Sequence, residues 1–144
     1  MKLSVGQKSK HEKRVLFVCV ENAGRSQMAE GFFNKYAPKG YRAESAGTRP
    51  AGRINPLAIQ AMQEVGIDIS KNKSKIVTDD MIRNSTKAVN MGCMNQSECP
   101  MLFMSNVIDW GIEDPKDKPI ERVRAIRDDI ENRVREIAKS LEET

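Results

Sequence analysis

Apolar positions along the chain change period several times, and each change predicts an element. Arg14–Val20 (RVLFVCV) is an almost unbroken apolar run rich in β-branched residues, the pattern of a short strand buried on both faces of a parallel sheet. From Ser26 the spacing turns helical: Met28, Ala29, Phe32, Phe33 and Tyr36 fall on one face, and Pro38 and Gly40 end the run. Tyr41–Thr48 (YRAESAGT) is a second strand candidate. In Ile54–Gly66, Asn55 is placed to cap a helix, Pro56 to occupy its first position and Gly66 to stop it. Thr78 opens a short helix, Lys87–Met91 (KAVNM) predicts a third strand and Asn106–Trp110 (NVIDW) a fourth.

From about Pro119 one long helix runs to the end, with Ile120, Val123, Ile126, Ile130, Val134, Ile137 and Leu141 stepping by three or four. That stripe reads as core-facing rather than as a dimer seam, because three heptads is the lower limit for a coiled coil. A monomer is therefore expected. Strands alternating with helices predict an α/β fold, with a short parallel sheet and helices on both faces.

Composition narrows the class. The chain has 144 residues, enough for one core. Five cations (Lys2, Lys8, Lys10, Lys13, Arg14) against Glu12 in the first 14 residues account for the whole formal charge of +4. Residues 1–13 are thus expected to be a flexible basic tail and 14–144 a single domain without a basic face for nucleic acid. No apolar run approaches the ~20 residues of a membrane helix. The N-terminus lacks the apolar block of a secretory signal, which predicts a cytoplasmic protein. Three cysteines in such a chain point to reactive thiols rather than to a structural disulfide.

Cys19 ends the first strand, and Arg25 and Ser26 follow six and seven positions later, opening a helix. Ligands of open α/β sheets bind at the carboxyl ends of strands, where loop and helix N–H groups converge on anions. The loop Val20, Glu21, Asn22, Ala23, Gly24, Arg25, Ser26 is the candidate oxyanion cradle. Gly24 is expected to supply freedom at the turn, and Arg25 a planar fork matched to a tetrahedral oxyanion. Cys19 below it would be held as the reactive thiolate, with Ser26 donating to it. The alternative, a small buried hydrophobe ending a strand, leaves Arg25 and Ser26 unexplained.

These residues resemble the Cys-x5-Arg-Ser loop of the low-molecular-weight protein tyrosine phosphatases, and look closest to their arsenate-reductase branch. CVENAGRSQMAEGF, AESAGT, INPLAIQAM, VGIDIS, NMGC, CP and DWGIEDP recur in that order along nearly the whole chain after the tail. The resemblance implies a four-stranded parallel sheet flanked by helices, in a Rossmann-like three-layer arrangement.

Cys93 stands near the end of the third predicted strand, at the same end of the sheet as Cys19. Cys99 follows across the polar segment MNQSE, just before Pro100. Three cysteines and one distant histidine make a poor zinc set, so no metal site is expected. The resemblance implies a relay instead. Cys19 attacks arsenate, Cys93 displaces arsenite, Cys99 takes over the disulfide, and a thioredoxin-type reductant resolves it without a cofactor. It also places Asp114, in GIEDPKD, as the acid that protonates the departing oxygen, with Glu113 the fallback.

Three departures from the family pattern stand out. Glu21 and Gly24 replace the glycine and the further cysteine of many relatives, the Cys93–Cys99 spacing is tight, and a potassium site described for relatives is matched at Asn22, Glu30 and Ser45 but carries Lys75 at the fourth position. One expectation is that the Lys75 ammonium reaches Glu30 in place of an ion; the other is a solvated Lys75. Two rival functions remain. One is a phosphatase acting on phosphate monoesters, which the loop and Asp114 would serve equally well but which needs neither Cys93 nor Cys99. The other is a non-enzymatic oxyanion or redox sensor.

Overall fold

The computed structural model describes residues 12–92 and 107–142. Four strands, β1 (Lys13–Cys19), β2 (Tyr41–Gly47), β3 (Lys87–Asn90) and β4 (Val107–Asp109), form one parallel sheet in the order β2-β1-β3-β4. β1 is paired on both edges, which explains its unbroken apolar run. Val15, Phe17 and Cys19 face one layer, and Leu16 and Val18 the other; all five are at most 2% exposed.

The larger layer holds α1 (Arg25–Tyr36), α2 (Pro56–Gln63) and α4 (Ile120–Glu142). Met28, Ala29, Phe32 and Phe33 of α1 meet the α4 stripe, whose Val123, Ile126, Ile130, Val134, Ile137 and Leu141 are all buried. The stripe therefore faces the core. α3 (Asp79–Arg83) covers the opposite face, where Ile82 packs on Leu16, Val18 and Ala88. The fold is thus the α/β arrangement expected, with a four-stranded parallel sheet and helices on both faces.

Local chemistry sets the boundaries. Asn55 Oδ1 accepts from the Leu57 N–H at 2.9 Å, with Pro56 in the first turn of α2. Thr78 Oγ1 accepts from the Met81 N–H to cap α3. The helix expected over Ile54–Gly66 starts at Pro56 after the Asn55 cap, as expected, and ends at Gln63, just ahead of Gly66, which is left-handed at φ 83°. Among the described residues no helix is long and apolar enough to cross a membrane.

The order β2-β1-β3-β4 means that the chain leaves β1 to one side and returns on the other. The carboxyl end of β1 is therefore the topological switch point, where ligands of such sheets sit. Cys19 is the last residue of β1, in register with Gly47 at the end of β2.

Candidate active site

Residues 20–24 carry the chain from Cys19 to the N-terminus of α1, and the turn is made by Asn22. Its φ of 52° is left-handed, a conformation asparagine adopts more readily than most residues. Gly24, with φ −136° and ψ −85°, lies outside the ordinary α and β regions, in keeping with the freedom expected of it. Its missing side chain matters for another reason: a Cβ there would lie 3.1 Å from Pro115 Cγ. Gly24 also offers no side-chain cap to α1, so no capping side chain competes with an anion for the first-turn N–H groups.

Asn22 is fully buried and its amide has three partners. Nδ2 donates to Ser26 Oγ at 2.8 Å and to Ser45 Oγ at 3.0 Å, and Oδ1 accepts from the Lys75 N–H at 2.9 Å. The Asn22 N–H points at Cys19 Sγ, 3.2 Å away. Ser26 Oγ lies 2.8 Å from the same sulfur; accepting from Asn22, it has its own proton left for a thiolate. Ser45, in turn, donates to Glu30 Oε1 at 2.5 Å. One hydrogen-bonded chain thus runs from the Glu30 carboxylate through Ser45, Asn22 and Ser26 to Cys19.

The Lys75 ammonium is not in that chain. Lys75 is exposed and, among the described residues, makes no ion pair with Glu30; it contributes its backbone N–H. The expected ammonium–Glu30 contact is therefore replaced by the Ser45–Glu30 hydrogen bond. Gln27 Nε2 adds a second tie, donating to Asn22 O and Lys73 O. Neither Gln27 nor Gly47 stood out in the sequence. A Cβ on Gly47 would come within 2.6 Å of Val20 O and 2.9 Å of Asn22 N, so the loop crosses the end of β2 where only glycine fits.

Cys19, Glu21, Ala23, Gly24, Arg25 and Asp114 line one cleft of about 310 Å³, closed by Ala51, Arg53, Asn55, Pro56 and Leu57 on one side and Lys116 and Asp117 on the other. Val20, Asn22 and Ser26 lie outside the lining, and Asn22 and Ser26 are fully buried against Cys19. Among the described residues, no aromatic side chain lines the cleft. Arg25 is 3% exposed: Nη1 donates to the carbonyls of Ile112 (2.9 Å) and Gly92 (3.3 Å), and Nη2 lies 3.6 Å from Asp114 Oδ2. The guanidinium therefore fastens the loops after β3 and β4 to α1 while presenting its other edge to Asp114.

The two candidate acids separate clearly. Asp114 lines the cleft, whereas Glu113 is bound by Arg122 and Lys118 of the α4 entry. The hydrogen bond from Arg122 holds the Glu113 carboxyl below its ordinary range, which makes it a poor proton donor. Cys93 and Cys99 lie outside the described residues; Gly92, which precedes Cys93, is held at this end of the sheet by Arg25.

Known proteins match this chain along most of its length. The arsenate reductase of Staphylococcus aureus (strain Newman) is 39% identical over 121 residues, 83% of this chain and 91% of that protein. The arsenate reductase of Brevibacillus brevis is 35% identical over 133 residues, 92% of this chain and 98% of that protein. In structure, the chain resembles the thioredoxin-dependent arsenate reductase of Corynebacterium glutamicum with a TM-score of 0.77 and 37% identity, over 96% of this chain and 66% of that one. Residues 14–144 match the family model of low molecular weight phosphotyrosine protein phosphatases, and the chain belongs to that family.

Proposed function

We infer that the protein reduces arsenate to arsenite through the Cys19 loop and a relay of three thiols that a thioredoxin-type dithiol regenerates. The observation that carries this reading is the cleft itself: a thiol flanked by Ser26 and the Asn22 N–H, with a buried arginine and a carboxylate opposite. The named arsenate reductases that match the chain support the choice of oxyanion.

In this mechanism the N–H groups of residues 20–26 and the free edge of Arg25 hold the arsenate. The Cys19 thiolate attacks arsenic, and Asp114 gives its proton to a departing oxygen, which leaves as water. Cys93 then attacks Cys19 Sγ. The sulfur–arsenic bond breaks with its electron pair on arsenic, so arsenic(V) becomes arsenite as Cys19–Cys93 forms. Cys99 attacks Cys93, returning the Cys19 thiolate and leaving Cys93–Cys99, which an external dithiol reduces by exchange.

Purified protein given arsenate, thioredoxin, thioredoxin reductase and NADPH should consume NADPH in proportion to the arsenite formed. Hydrolysis of phosphate monoesters without arsenate-dependent NADPH consumption would support the second reading. That reading rests on the same loop and Asp114, because phosphate and arsenate share shape and charge.

A further inference from the structure

Lys116 stands two residues beyond Asp114, and its Nζ lies 3.1 Å from Glu21 Oε2, 95 residues away in the chain. Both side chains line the cleft. A carboxylate in the loop that would receive an oxyanion opposes binding unless a cation compensates it. Lys116 supplies that cation, and Glu21 in turn raises the affinity of the ammonium for its proton. The same lysine also acts through its main chain: its N–H donates to Asp114 Oδ1 at 3.0 Å. Pro115, between the two, lies so near Gly24 that a Cβ there would stand 3.1 Å from its ring.

The segment 112–118 is therefore fastened on two sides. Glu113 ties its start to Arg122 of α4, and Lys116 ties its far side to the anion loop. The Asp114 side chain is 46% exposed, and among the described residues its carboxylate meets only the Lys116 N–H and, at a longer approach, Arg25.

We propose that the Glu21–Lys116 ion pair is a latch between the two loops, and that Lys116 is a positioning residue that holds Asp114 on the Cys19 side of the cleft. This role rests on the reading of Asp114 as the proton donor. An exposed ion pair shifts such an equilibrium modestly, so breaking it should cost ~2–5-fold in the rate of the step Asp114 assists.

The test is the single-turnover rate of arsenite formation with reduced enzyme in excess, giving a saturating rate and a half-saturation concentration. Lys116→Met and Glu21→Gln should each lower the saturating rate by ~2–5-fold, with the half-saturation concentration changed less. Lys116→Arg should recover the rate. In an Asp114→Asn background Lys116→Met should have no further effect, because there is no proton left to position. Backbone 15N heteronuclear NOE values over residues 113–117, which need no turnover, should fall in Lys116→Met and return in Lys116→Arg. A change confined to half-saturation would make Lys116 a cation for substrate and overturn the latch. So would full additivity with Asp114→Asn, or unchanged NOE values. An Asp114→Asn enzyme as fast as the unmodified one would overturn the acid assignment and this role together. Absence of arsenite from every variant would strike the arsenate reading, leaving the NOE values to decide the latch.

Discussion

Asp114 Oδ2 faces Arg25 Nη2 at 3.6 Å, while its neighbour Glu113 is bound by Arg122 on α4. Two adjacent carboxylates are thus given different work by what each one meets. Asp114→Asn should slow the first chemical step by ~10²–10⁴-fold, the usual contribution of a positioned acid. Glu113→Gln should change that rate little. Rapid-quench measurement of arsenite decides between them, and a larger loss in Glu113→Gln would reverse the assignment.

The three thiols should fail differently. Cys19→Ser should abolish arsenate reduction and any ester hydrolysis. Cys93→Ser and Cys99→Ser should stop sustained reduction yet leave ester hydrolysis, and Cys99→Ser should accumulate a Cys19–Cys93 disulfide. Peptide mass mapping after exposure to arsenate would detect that bond. Ester hydrolysis lost in both resolving variants would assign these thiols to the fold rather than to a relay.

Asn22→Ala should be among the most damaging substitutions outside the reacting groups. It leaves Ser26, Ser45 and the Lys75 N–H without their shared partner, at about 1–3 kcal/mol for a buried group left unsatisfied. Chemical denaturation would measure the loss. Gly47→Ala should displace the same loop from the other side, since its new Cβ would meet Val20 O and Asn22 N; a variant as stable and as active as the parent would refute that account.

Lys75→Ala, by contrast, should be almost silent. Only the backbone of Lys75 supports the loop, and exposed substitutions away from special features usually fall within about 0.5 kcal/mol. An appreciable drop in melting temperature or in the rate of Cys19 alkylation would restore a role for the ammonium.

Glu64 predicts a feature of the acid limb of stability. Its carboxylate accepts from Arg124 and Arg127, which join α2 to α4, and the Arg124 hydrogen bond leads the lowering of its proton affinity from the ordinary value of 4.5. A carboxyl depressed in the folded state contributes stability above its unfolded value and loses it as pH falls toward the folded one. The stability difference between the parent and Glu64→Gln should therefore be constant above about pH 4.5 and shrink below it. A difference independent of pH down to acid unfolding would contradict this.

What the sequence made legible was local. β1 was readable because both its faces are buried, α2 because Asn55 and Pro56 mark its start, and α4 because its stripe repeats for six turns. Cys19 and Arg25 were readable because one short loop joins them. Contacts across the chain were not. Glu21 and Lys116 meet only after the β1 and β4 loops are brought to the same sheet end. The orientation of Lys75 depends on which of its groups faces Asn22, which side-chain chemistry does not reveal. Asn22 rather than Gly24 takes the left-handed turn because the asparagine must also span Ser26, Ser45 and Lys75, a demand visible only in three dimensions.

The strand order divides the labour of the site between two halves of the chain. The groups that meet the sulfur, Ser26 and the Asn22 N–H, come from the loop and helix that follow β1, with main-chain support from Lys73 and Lys75. Asp114 enters from beyond β4, and Arg25 touches that side chiefly through the main-chain carbonyls of Gly92 and Ile112. A main-chain carbonyl is the same whatever residue bears it. Side chains on the later loops can therefore be exchanged without rebuilding the Cys19 loop, so the architecture can keep that loop while the chemistry opposite it is rewritten.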